Sequence, residues 1–323
     1  MRALICSTLD GIDALTVGEL PDPELTAGSA RVRIEAAGVN FPDLLVTRGL
    51  YQDQPQLPFA PGMEMAGTVV ETADDVTSVA AGDRVFGFLP HGGFAEQTVA
   101  PAGALYPMPH SMSFETAAAL PIAYGTGYHA LVDRGRLASG DTLVVLGAAG
   151  GVGMAAVQIG VAVGAKVVGA VSSEAKGRAV ASAGATEVIR YDQEALRDGL
   201  RRFAPDGVDV VYDPVGGDMT EAAFRSLAWE GRHLVIGFAA GSIPALPVNL
   251  ALLKGASLVG VFWGRFATID PAANRANFVS LTRMWEERRI DPVVSDPYPL
   301  DDAVEAMHLL AGRAAIGKLI VRP

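Results

Sequence analysis

Cysteine is nearly absent from these 323 residues. The single one, Cys6, cannot supply a disulfide framework or a cysteine-built zinc site, and it reads as a small core residue of the first strand. Charge is sparse as well: 19% of residues are charged against 50% apolar, the balance of a globular chain and not of a disordered one. A basic excess is missing, the formal net charge being −11. That weighs against broad binding to nucleic acid or anionic membranes and leaves only a local basic groove around a phosphate. Long apolar runs are lacking too. Asp10 and Asp13 break the opening before any leader cleavage site, so no secretory signal is expected. Residues 143–171 come nearest to a membrane span, but Gln158, Lys166 and seven glycines make them strand, turn, helix and strand. These absences predict a soluble protein of a reducing, cytoplasmic setting. Metal ligands are also short: His91, His110, His129, His233 and His308 show no paired-ligand spacing.

What is present changes character along the chain. The first third carries short apolar or alternating pieces, RALICS, ARVRIEAAGV, MAGTVVETA, DRVFGF and FAEQTVA, separated by PDPE, TAGS and AAGD. That is the pattern of short strands joined by turns. From Phe114 the texture turns helical, with Ser113 placed to cap the helix. A β-α alternation then begins: TLVVLG, KVVGAV, TEVIRY, VDVVYDPVG, RHLVIGF and SLVGVFW, with helical stretches between them. Strands so spaced imply a parallel sheet covered on both faces. The tail adds helices around NFVSLTRMWEERR and LDDAVEAMHLLAG and a strand, GKLIV. The expected fold is α/β: a β-rich domain over 1–120 and 265–323, interrupted by a doubly wound parallel-sheet domain over 121–264.

The turn between the first strand and helix of that alternation reads LGAAGGVG, residues 146–153. A bare turn at a helix start presents free N–H groups and the positive helix end to an anion. The spacing is GxGxxG with Ala148 in place of the first glycine, so Gly150 permits a pyrophosphate to approach and Gly153 permits close helix packing. Gly147, Gly151 and Gly153 also fit the spacing of short-chain dehydrogenases, but no tyrosine has a lysine four residues on, which removes that reading. An NAD site places an acid at the end of the second strand. Here Ser172 stands at that offset and Lys176 follows, a pair suited to a 2′-phosphate, so NADPH is favoured; Glu174 is the dissenting residue.

In this order the pieces resemble the medium-chain dehydrogenase/reductase superfamily, and within it the zinc-free quinone oxidoreductase branch. The resemblance covers essentially the whole chain and rests on AAGVNFPDLLVTRGLY (36–51), PFAPGMEMAGTV (58–69), AGDRVFGF (81–88), ALPIAYGTGYHAL (119–131), GAAGGVGMAAVQIG (147–160), YDPVGG (212–217) and GKLIV (317–321). It implies a GroES-like catalytic domain around the Rossmann domain. Zinc-dependent relatives place a cysteine and a histidine where this chain has Asn40 and Met63, and an amide and a thioether do not replace thiolate and imidazole. No metal is therefore expected. Without one, the acceptor should be conjugated, a quinone or an α,β-unsaturated carbonyl compound, which spreads the charge that zinc otherwise stabilises.

The resemblance also implies site residues. Tyr51 is the polarising donor or proton source, and Asn40 orients substrate or nicotinamide. Thr126 meets the nicotinamide ribose; Gly150, Gly151 and Val152 line the pyrophosphate; Ser172, Lys176 and Tyr191 surround the 2′-phosphate. Backbone at Phe238–Ala239 and Phe262–Trp263 closes over the nicotinamide. Plainer parts suit some of these residues as well: Tyr51 at a pocket rim, Asn40 capping a turn, and Tyr191, Phe262 and Trp263 in the core. The branch often carries a second tyrosine where Leu45 stands, a departure that bears on quinone preference. SLVGVFW is expected to pair with its copy in a homodimer. Two other functions stay in view, an enoyl-thioester reductase and a non-catalytic NADPH-binding adaptor.

Overall fold

The computed structural model describes residues 1–323 and divides them into two compact units, Met1–Ile122 with Pro292–Pro323, and Ala123–Asp291. The first crossing lies two residues from the expected boundary; the second lies at 291/292 and not at 265. The physical reason is that the helix Pro271–Glu286 is bonded within the second unit. Asn277 Nδ2 donates to Asp133 at 2.8 Å, and Trp263 Nε1 donates to Asn274 at 2.9 Å. Gln158 then exchanges two bonds with the main chain of Asp291, at 2.6 and 2.9 Å.

The first unit is built on a mainly antiparallel sheet whose longest member is Ser29–Gly38. Ala30, Val32, Ile34 and Ala36 alternate onto its buried face, as a period of two requires. Glu64–Thr72 pairs along one side of it. On the other, Gln97–Pro101 covers its beginning, while Ile320–Arg322 covers its end at Ala37 and Gly38. The closing strand therefore meets the point where the chain enters Val39 and Asn40. Cys6 is fully buried beside Phe59, the core part expected of it.

The second unit holds six parallel strands in the order Glu187–Arg190, Lys166–Val171, Thr142–Leu146, Val208–Asp213, Leu227–Val235, Ser257–Gly260. This is the doubly wound order, in which connections leave the first strand toward opposite sides and open a crevice at the strands' carboxyl ends. Val144, Leu146, Val168, Ala170, Val211 and Phe224 belong to the core packed against this sheet. Ser113 caps the helix Phe114–Ala118 as expected, its Oγ accepting from Thr116 N at 3.1 Å. The helical stretch beyond is not uniform. It widens to π-helical turns over Leu120–Tyr124 and His129–Arg134, the first of them at Pro121, which lacks the N–H a regular helix needs.

Candidate active site

In the second unit the glycine turn follows directly on Thr142–Leu146, at the crevice end of the strand. Gly147 takes a positive φ of 58°, so it makes the tight turn that the substituted first glycine, Ala148, does not. Gly150 is the N-cap of the helix Gly151–Val163, whose first amides have no acceptor within the helix. A Cβ on Gly153 would stand 2.3 Å from Gly147 O, so this glycine is required by packing. A Cβ on Gly150 would meet only Gly147 O, at 3.6 Å. Nothing in the protein therefore demands glycine at 150, and the bareness there faces outward from the turn. Gly151 and Val152 form the first turn of that helix, with Gly150 at its cap, as the anion reading requires.

The second strand, Lys166–Val171, ends at Ser172, and Ser173 caps the next helix, Glu174–Ser182. Lys176 Nζ lies 3.1 Å from Ser172 Oγ, so the two residues converge on one spot. Glu174, the dissenting acid, points instead to Arg178 at 2.5 Å and Arg190 at 3.9 Å. Tyr191 joins the same strand ends through its N–H to Val171 O at 3.1 Å, while its ring packs partly buried on the core. It thus stands at the strand ends with the contacts of a core aromatic.

Asp213 organises the crevice floor. Its Oδ1 accepts from the N–H groups of Val215 and Gly216 at 2.9 and 2.8 Å. Its Oδ2 accepts from Thr220 Oγ1 at 2.7 Å and meets His233 Nε2 at 3.0 Å. Burial alone would raise its carboxyl, but His233, Gly216 and Thr220 outweigh it and hold the group below its ordinary value. The loop so fixed is tied to Phe238–Ser242: Ala239 N–H donates to Pro214 O and Ala240 N–H to Val215 O. Thr126 is buried next to Gly125, and Trp263 packs on that glycine. The Trp263 side chain is thus core, which leaves only its backbone for a cofactor, whereas Phe262 is 53% exposed.

In the first unit Asn40 opens the short helix Phe41–Val46. Its backbone N–H donates to Asp43 Oδ2 at 2.7 Å. Its Nδ2 donates to Gly38 O at 3.2 Å and to Glu64 Oε1 at 2.9 Å, and its Oδ1 accepts from Lys318. Both amide hydrogens are spent inside the protein. In this structure the residue holds the loop, and its expected part in orienting substrate or nicotinamide would have to be played from that fixed position. Asp43 is fully buried with Oδ1 unpartnered. Burial pushes its carboxyl up to about 7, against the pull of the Asn40 N–H and the Lys318 charge. Tyr51, at the far end of the loop, is half-buried. Burial first, and then Asp53 and Asp43, raise its phenol above the ordinary value, so the hydroxyl keeps its proton at neutral pH. Glu64, Asp43 and Lys318 were missed from the sequence. The signal was a single charge inside an apolar run, in GMEMAG for Glu64, FPDLLV for Asp43 and GKLIV for Lys318, since a buried charge demands a partner.

Two family models match the chain: "Alcohol dehydrogenase GroES-like domain" over residues 26–110 and "Zinc-binding dehydrogenase" over 151–277. The quinone oxidoreductase-like protein 2 of Mus musculus is 37% identical, over 99% of this chain and 91% of that protein. The structure of Escherichia coli quinone oxidoreductase complexed with NADPH superposes with a TM-score of 0.93 at 28% identity, covering 100% of both chains. That of the Thermus thermophilus quinone oxidoreductase, also solved with NADPH, gives 0.87 at 32% identity and the same coverage. The zinc of the second model's description finds no fitting donors here. Asn40 offers an amide, Met63 a fully buried thioether, and Glu64 is held by the Lys318 ammonium at 2.5 Å.

Proposed function

The chain belongs to the quinone oxidoreductase branch of the medium-chain dehydrogenase/reductase superfamily, and on that footing we propose that it is an NADPH-dependent, metal-free reductase of quinones or of the activated C=C bond of small α,β-unsaturated carbonyl compounds. The observation that carries the reading is the convergence of Ser172 and Lys176 beyond the second strand, with Glu174 turned to two arginines. A 2′-phosphate suits that cation and hydroxyl, with Tyr191 closing the strand-end side. Gly150, Gly151 and Val152 offer the pyrophosphate a bare helix start, and Thr126 is the ribose contact. Phe238, Ala239, Phe262 and Trp263 serve the nicotinamide through their backbone. NADPH bound there supplies the hydride.

The chain's own part in the chemistry falls to Tyr51. Its protonated hydroxyl donates to the acceptor's oxygen or supplies the proton that completes reduction. A conjugated acceptor spreads its developing charge, so one donor can serve where an isolated carbonyl needs a Lewis acid. The working assembly is a homodimer formed through the edge strand Ser257–Gly260.

The test combines two measurements. Lys176→Ala should weaken NADPH binding about tenfold and leave NADH unchanged; equal loss for both contradicts the phosphate assignment. Stopped-flow NADPH oxidation against 1,4-benzoquinone, 9,10-phenanthrenequinone, 2-cyclohexenone, a 2-alkenal and crotonyl-CoA then identifies the acceptor. Preference for crotonyl-CoA transfers the chain to the enoyl-thioester reductases. Tight NADPH binding with no turnover of any acceptor makes it a coenzyme-binding adaptor.

A further inference from the structure

The buried charges of the first unit lie outside the reduction scheme above, yet they form a closed network. Lys318 is 5% exposed, and its ammonium has three acceptors for three hydrogens: Val39 O at 3.0 Å, Glu64 Oε1 at 2.5 Å, and Asn40 Oδ1. Glu64, fully buried, also takes the Asn40 amide on Oε1 and the Ile122 N–H on Oε2, the latter at 2.7 Å. Gly38 makes room for the group, since a Cβ there would fall 2.1 Å from Glu64 Oε1 and 2.7 Å from Lys318 Cε. The lysine's main chain is pinned on both sides, its N–H donating to Val293 O at 2.8 Å and its carbonyl accepting from Ser295 N at 2.9 Å.

A buried ion pair is a poor source of stability, because desolvating two charges offsets their attraction; an apolar core of the same volume serves as well or better. What the pair does supply is direction. With the ammonium on Asn40 Oδ1 and the carboxylate on Nδ2, the amide has one allowed orientation; a flipped amide would set NH₂ against NH₃⁺ and oxygen against carboxylate. Asn40 in turn starts the helix whose continuation ends at Tyr51. We propose that Lys318 is a positioning residue of the reduction: its ammonium, held by Glu64, fixes the Asn40 amide and thereby the segment 40–51 that carries Tyr51.

The catalytic consequence rests on the reductase reading, but the positioning itself can be read without turnover. Amide hydrogen exchange on the full chain compares wild type with Lys318→Met and with the double variant Lys318→Met/Glu64→Gln, which leaves no unpaired carboxylate behind. The expected result in both is exchange about tenfold faster over residues 40–51, with Arg84–Phe88 and Thr142–Leu146 as protected as in wild type. If the single variant does not fold, the double variant decides. The double variant should also lose about tenfold in kcat with its Kd for NADPH unchanged. Wild-type exchange over 40–51 in the double variant overturns the proposal, as does acceleration spread evenly over both units. Wild-type kcat in a loosened double variant overturns it too. A wild-type protein that reduces no acceptor defeats the reductase reading instead, and the exchange comparison still decides Lys318.

Discussion

Asp43 carries a carboxyl that the folded chain keeps protonated to about pH 7, whereas its ordinary value is 3.8. Between those values the native state holds a proton that the unfolded chain has released. Its contribution to stability is therefore fully present below about pH 4 and is lost as the pH rises toward 7. Roughly three pH units at ~1.4 kcal/mol each put the loss near 4 kcal/mol. Asp43→Asn removes the titration, so urea unfolding between pH 4 and 8 should lose that much of its slope; an unchanged slope assigns the pH dependence elsewhere. Tyr51 is tested by removing only its oxygen. Tyr51→Phe should lower kcat about a hundredfold with KM nearly unchanged, the pattern of a donor used in the transition state. Wild-type kcat would make Tyr51 a packing residue at the rim. Tyr51 and Lys176 were open to proposal from the sequence because their motifs sit close in it. Lys318 was not, because its partners at 39, 40 and 64 are brought to it only by the pairing of Ile320–Arg322 with the end of Ser29–Gly38.

The strand, glycine turn and helix of residues 142–163 serve two demands that separate cleanly by position. Gly153 meets backbone, Gly147 O at 2.3 Å and Ala148 Cα at 2.9 Å from an added Cβ, so Gly153→Ala must push the helix from its strand. A cost of about 1–3 kcal/mol is expected, read as a lower thermal midpoint. Gly150, with φ −74° and only one atom at 3.6 Å, accepts a methyl group without strain. Gly150→Ala should therefore keep the wild-type midpoint and weaken NADPH, read by fluorescence titration, because the methyl occupies the pyrophosphate's approach. Loss of stability at both positions would mean that the turn is bare for packing alone. At this scale the sequence was most informative where a period was regular: each of the six strands of the parallel sheet overlaps an apolar run, although Leu227–Val235 begins five residues ahead of RHLVIGF. It was least informative around Pro121, where local propensity reads as one helix and the chain forms several turns of different width. The helix Pro271–Glu286 groups with the second unit, which its own pattern does not announce, for the same kind of reason. Its pattern reports an amphipathic helix, but its attachment depends on Asn274 and Asn277 meeting Trp263 and Asp133.

For the molecule as a whole, the parallel sheet ends at Ser257–Gly260, which pairs with Leu227–Val235 on one side only. Leu258 on this edge is 53% exposed, and Trp229, Val248, Leu252 and Leu253 nearby in sequence are exposed further, from 70% to 86%. Open edges and apolar surface of this kind invite association, and a two-fold axis lets one edge satisfy its own copy. Sedimentation should therefore give about twice the chain mass of 33.5 kDa, and Leu258→Lys with Leu252→Glu should return it to that of one chain. The formal charge of −11 on each copy adds a sign to the experiment. Like-charged copies repel through water over about a Debye length, so raising salt should tighten the dimer. An assembly held instead by exposed ion pairs would loosen with salt, and a wild-type protein that sediments as one chain would leave the edge strand without this role.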